Sequence, residues 1–92
     1  MDSLAVGAAL VGILVGPGRR RDAAATRLWH RLRPRLDASP DAAGALAELR
    51  SNPRNRAAGL VLGDEIGRIL DAEPELFGPA VDLVGGRAAR AA

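Results

Sequence analysis

Residues 4–16 read LAVGAALVGILVG, a run with no charge, no hydrogen-bonding side chain and no aromatic ring. An amphipathic surface helix has one apolar stripe and one polar face, whereas a segment apolar on all sides must be buried in protein or in lipid. The rest of the chain must therefore cover this run or release it. Ala8, Gly12 and Gly16 recur at every fourth position, and in a helix they form a smooth strip that another backbone can approach closely. Leu4, Leu10, Ile13 and Leu14 supply most of the apolar bulk. Together these residues are the candidates for membrane insertion or close helix packing.

The run is shorter than the roughly 20 residues that cross a bilayer as a helix. Its flanks also reverse the order of a secretory signal, because Asp2 precedes it and Arg19, Arg20 and Arg21 follow it. A permanent single-span anchor is not expected. What the flanks do allow is a conditional association, in which the three arginines meet anionic headgroups and each contributes about 1 kcal/mol near the surface.

Ninety-two residues make one domain with a modest core. Trp29 and Phe77 are the only aromatics in a chain that is 48% hydrophobic, so the core must be built from Leu, Val, Ile and Ala, which favours closely packed helices. The absence of cysteine removes disulfides, thiolate metal sites and cysteine nucleophiles, and favours a reducing, cytoplasmic compartment. Every basic side chain is arginine, which reads first as a high-GC coding bias and second as selection for forked guanidinium recognition. The net charge of +2 hides an uneven distribution. Residues 1–36 hold seven Arg against two acids, and residues 37–92 hold six Arg against nine acids. Halves of opposite charge can attract within one molecule or head to tail between molecules.

Gly16-Pro17-Gly18 should stop the first helix. From about Asp22, Ala24, Leu28, Leu32 and Leu36 recur at fourfold spacing with Ala25 and Trp29 beside them, which marks an amphipathic second helix. Arg27, Arg31 and Arg35 form the neighbouring row, and Pro34 should kink this helix or end it near Arg33. Ser39-Pro40 and Asn52-Pro53 each pair a capping side chain with a proline suited to the first helical position, so each is expected to start a helix. The first of these turns Ala42, Ala45, Leu46 and Leu49 inward; the second turns Ala58, Leu62, Ile66, Ile69 and Leu70 inward. Gly59, Gly63 and Gly67 line one row of the longer helix, either as a groove for the glycine-striped first helix or as compositional glycine. A last helix opens near Glu73-Pro74-Glu75 with Phe77, Ala80, Val81 and Val84 inward. Gly78-Pro79 should kink it or delay its start, and Gly85-Gly86 should end it. Residues 1–86 are thus expected to form an all-α bundle of four to five helices burying the apolar N-terminal one, with residues 87–92 as a flexible tail.

No catalytic signature accompanies this pattern. His30 is the only histidine, so neither a zinc site nor a Ser-His arrangement has residues to draw on, and Ser3, Thr26, Ser39 and Ser51 read as caps and surface. Asp64 and Glu65 are adjacent on a helix and point in different directions, which suits a solvated face better than an acid-base pair. Gly16-Pro17-Gly18-Arg19 lacks the lysine and the preceding strand of a phosphate loop. No enzyme activity, cofactor, metal or small-molecule substrate is expected. Arg19, Arg20, Arg21, Arg27, Arg31 and Arg35 can serve as a membrane collar, a partner-binding face or a solvated face. The acidic second half and the lack of stacking aromatics argue against nucleic acid.

The order of elements resembles a known class. An apolar Ala/Gly-rich N-terminal helix is followed by RLWHRLRPRL, AALAELRSNPRNRAA and LGDEIGRILDAEPEL, and then by a final apolar helix. This arrangement is similar to the Bell type of bacterial helical domain, an analogue of the fungal HeLo and HeLo-like cell-death domains, over most of residues 4–84. The resemblance implies an immune-signalling domain that oligomerises and releases its N-terminal helix into a membrane. The alternative from the charge pattern is a soluble adaptor that binds itself or another signalling protein through complementary charged faces.

Overall fold

The computed structural model describes residues 2–15 and 23–91, the last six of them as helix backbone only. It contains five helices and, among the described residues, no strand: α1 (Ser3–Leu14), α2 (Ala23–Asp37), α3 (Pro40–Ser51), α4 (Arg56–Ala72) and α5 (Pro74–Ala91). The expected all-α bundle is the fold. Gly16 and Arg19, Arg20 and Arg21 lie outside the described residues.

Local chemistry explains where the helices begin. Asp2 caps α1 by accepting the Ala5 N–H at 2.7 Å, and Ser39 caps α3 by accepting the Ala42 N–H at 3.4 Å with Pro40 in the first turn. The start of α4 is a correction. Asn52 does not open this helix; it ends α3, donating its backbone N–H to the Glu48 carbonyl, while its side chain accepts the Arg54 N–H at 3.2 Å. The side chain is thereby committed to a local turn, and Asn55 becomes the cap, accepting the Ala58 N–H at 3.1 Å. Asn55→Ala should cost about 1 kcal/mol and Asn52→Ala less, a ranking that urea unfolding of the two variants would check.

Neither Pro34 nor Pro79 ends a helix, and Gly85-Gly86 does not end α5 as the sequence pattern expects. α2 continues through Pro34, whose carbonyl accepts the Ala38 N–H at 3.1 Å, and α5 starts at Pro74 and continues through Pro79. In α2 the turn beyond Pro34 carries Leu36 into the core at 0% exposure, so burial offsets the missing hydrogen bond. α5 also runs past Gly85-Gly86 to Ala91, where a flexible tail is expected from the sequence; Arg and Ala in this stretch are good helix formers.

α4 is the central element, touching all four other helices, and its most extensive partner is α1. The largest fully buried side chains, Val6, Leu10, Leu32, Leu36, Leu62, Ile66, Leu70 and Leu76, come from all the helices except α3, whose Ala42, Ala45, Leu46 and Leu49 close the core from its side. The inward residues of α3 are those expected, and those of α4 agree except that Ile69 is half-buried. α2 turns Ala25 inward and leaves Ala24 exposed. In α5 the buried set is Leu76, Ala80, Leu83 and Val84, with Phe77 and Val81 half-buried.

Candidate interaction surface

α1 is buried along one face and open along the other. Val6, Gly7, Leu10, Ile13 and Leu14 face the bundle. Ala5, Ala8 and Gly12 face solvent, with Ala9, Val11 and Val15 half-buried at the margins and Leu4 54% exposed. No polar side chain occurs between Leu4 and Val15, so this outer face is apolar throughout.

The seat of α1 is made of glycine. A Cβ on Gly7 would stand 2.3 Å from the Gly63 carbonyl oxygen and 2.9 Å from the Gly67 nitrogen. One on Gly63 would stand 3.2 Å from the Cα of Ala8, and one on Gly67 would stand 3.1 Å from the Ser3 carbonyl oxygen. The two helices therefore run antiparallel with their backbones in contact, as small residues permit. Ser3 adds a hydrogen bond, its hydroxyl donating to the Asp71 carboxylate. The α4 glycine row is thus the seat of α1, with two corrections. Gly59 takes no part, since a Cβ there meets nothing within 4 Å. On α1 the glycine in contact is Gly7, while Gly12 is open and the side chain of Ala8 points outward. The strip of Ala8 and Gly12 is consequently free for contacts beyond the fold.

Leu60 extends this apolar face onto α4. It stands one turn before Gly63 on the row that meets α1, and it is 72% exposed; its neighbour Val61 is 43% exposed. Arg56, one turn earlier, and Arg54 in the preceding turn are exposed and make no ion pair among the described residues. These two arginines and Leu60 are absent from the sequence-derived candidates. The spacing of Arg56 and Leu60 at i and i+4 was the available signal, but it becomes legible only once α4 is known to begin at Arg56.

The sequence-derived arginines divide into two groups. Arg27 and Arg31 are exposed and unpaired among the described residues. Arg35 is engaged instead: its guanidinium donates to one carboxylate oxygen of half-buried Glu73 and pairs with its charge, tying α2 to the α4–α5 junction. Arg33 pairs with Asp37 at 3.1 Å and lies 5.8 Å from the centre of the Trp29 ring. Asp64 and Glu65 are both held by a neighbouring arginine. Arg68 reaches Asp64 at 3.0 Å and Glu65 at 3.7 Å, and Glu65 also accepts the Ser39 hydroxyl at 3.3 Å, joining α4 to the start of α3.

A shallow groove runs between α3 and α4, floored by Gly44, Ala45, Ala57, Ala58 and Val61 and edged by Asp41 and Glu48. His30 is exposed, and among the described residues no three His, Asp or Glu side chains gather in a metal-binding cluster. No helix among the described residues is long and apolar enough to cross a membrane. No family model, curated protein or solved structure matches this chain.

Proposed function

We propose that this chain is a helical signalling domain of the regulated-cell-death type, similar to Bell domains, cytoplasmic at rest and acting on an anionic membrane through α1 once oligomerised. The observation that supports this reading is the outer face of α1, apolar from Leu4 to Val15, uncovered by the bundle and continued by exposed Leu60. A face of this kind marks an interaction site rather than ordinary surface. Arg56, placed by helical spacing on the same row of α4 as Leu60 and Gly63, is exposed and suits anionic headgroups. At 1.5 Å per residue, α1 is about 18 Å long against a hydrocarbon core of about 30 Å, so a single copy lies in the interface rather than spanning it.

The test is leakage from dye-loaded vesicles with and without phosphatidylglycerol, using the chain fused to an inducible dimeriser. Leakage is expected from anionic vesicles on dimerisation. Ala8→Glu combined with Gly12→Glu should leave the helical circular dichroism intact, because both positions are solvent-facing, and should cut leakage about tenfold or more through the cost of carrying charge into lipid. Intact anionic vesicles under dimerisation, or full leakage by the double variant, would refute the reading. A soluble adaptor is the second reading, favoured by exposed Arg27 and Arg31 on α2 and exposed Asp41 and Glu48 on α3, none of which makes an ion pair among the described residues. Under it vesicles stay intact and binding weakens with salt.

A further inference from the structure

We infer that the domain self-associates head to tail, the exposed ridge of α2 in one copy seating in the α3–α4 groove of a second copy. The groove supplies a floor of small residues, Gly44, Ala45 and Ala58 with Val61 at its end, under a rim carrying Asp41 and Glu48. Both carboxylates are exposed and make no ion pair among the described residues. They stand seven residues apart on one row of α3, about 10 Å along its axis. Asp41 also complements the α3 dipole, but Glu48, about two turns further along and in the last turn of the helix, has no such role. Arg50 is placed by its spacing on the opposite side of α3, so it does not neutralise the rim.

The ridge is built to match. Arg27 and Arg31 project from one row of α2, about 6 Å apart along the axis, and the reach of their side chains covers the difference in spacing. Exposed Ala24 and Pro34 bracket them on the same row and offer little bulk, so the helix can settle on a shallow floor. Forked guanidinium–carboxylate bonds then fix the register. Ridge and groove are different surfaces, so the contact is heterologous and propagates beyond a dimer as concentration rises. It converts the uneven charge of the two halves of the sequence into an assembly rule. It also rests on self-association alone, which both functional readings use, and it can be measured without lipid.

Sedimentation velocity of the purified chain over a concentration series tests it. Wild type should associate, and raising the salt from about 0.05 M to about 0.5 M should weaken association about tenfold or more. Arg27→Glu with Arg31→Glu should be monomeric, as should Asp41→Arg with Glu48→Arg. An equimolar mixture of the two should associate again, because each ridge then meets a groove of opposite charge. Gly44→Leu provides the control against misfolding. A Cβ there meets nothing within 4 Å, so the monomer keeps or raises its melting temperature while the filled groove loses its partner. A wild-type chain that stays monomeric at low salt, a mixture that stays dissociated, or undiminished association of Gly44→Leu would each overturn the interface. Loss of assembly with unchanged leakage from a forced dimer separates failure here from failure of the membrane reading.

Discussion

Gly7→Ala is expected to destabilise the domain by about 1–3 kcal/mol, while Gly12→Ala, five residues along the same helix, stabilises it by up to about 1 kcal/mol. Both changes replace glycine in the interior of α1 and gain the same helix propensity. They differ in what the new methyl group meets. At Gly12 it meets open space; at Gly7 it meets the Gly63 carbonyl oxygen at 2.3 Å and the Gly67 nitrogen at 2.9 Å. Those are backbone atoms of the central helix and cannot rotate away as the end of a side chain can. α1 must therefore lift from α4, and the buried contacts of Val6 and Leu10 loosen with it. Urea unfolding measures both effects as midpoint shifts at constant slope. A Gly7→Ala midpoint at or above wild type would mean that α1 does not seat on the α4 glycines.

The same pair of variants connects packing to function. Stability of a domain this size is a few kcal/mol to about 14 kcal/mol, so a loss confined to the α1–α4 contact is large relative to the cost of opening α1 alone. In the membrane reading, Gly7→Ala lowers the threshold for vesicle leakage and Gly12→Ala leaves it near wild type. In that reading the glycine contact is the latch that holds α1 at rest, and the Ser3–Asp71 hydrogen bond adds to it.

The fold was largely legible in the sequence because four of the five helices carry a polar face that fixes their phase. Leu62, Ile66 and Leu70 could only point one way on α4, and so could Leu46 and Leu49 on α3. α1 is the exception. A helix apolar on every side has a period but no phase, and nothing in residues 4–16 distinguishes a strip of Ala8 and Gly12 from one through Gly7. The choice is made by α4, whose Gly63 and Gly67 accept a backbone only where Gly7 provides it. Phase was also misjudged in α5, where Phe77 and Val81 flank the core and Leu76 and Leu83 occupy it. The candidate surface was less legible still. Which apolar face remains open follows from tertiary packing, and that Arg56 shares a row with Leu60 follows from the cap at Asn55, which sets where α4 begins.

Pro34 and Leu36 show how burial overrides a local breaker, and they make opposite contributions. Leu36→Ala is expected to cost about 2–5 kcal/mol, the range for a buried leucine truncated to leave a cavity, because its side chain is 0% exposed among the helices. That would be a large fraction of the stability of the whole domain, and at the upper end the chain would be substantially unfolded at physiological temperature. Pro34→Ala should act the other way and stabilise by about 1–3 kcal/mol. It restores an N–H to the interior of α2 at an exposed position, where removing the ring leaves no cavity. Thermal and urea unfolding of the two single variants and the double variant would measure both. If α2 instead ended near Arg33, Leu36 would sit in a connection, its truncation would cost little, and Pro34→Ala would be neutral. The two prolines inside helices, Pro34 and Pro79, each stand one or two residues before a buried side chain, Leu36 and Ala80 respectively. In α2 ending the helix would expose Leu36, and in α5 it would displace Ala80, Leu83 and Val84 together, so the gain from Pro34→Ala measures how much of the Leu36 burial energy goes into keeping the turn helical.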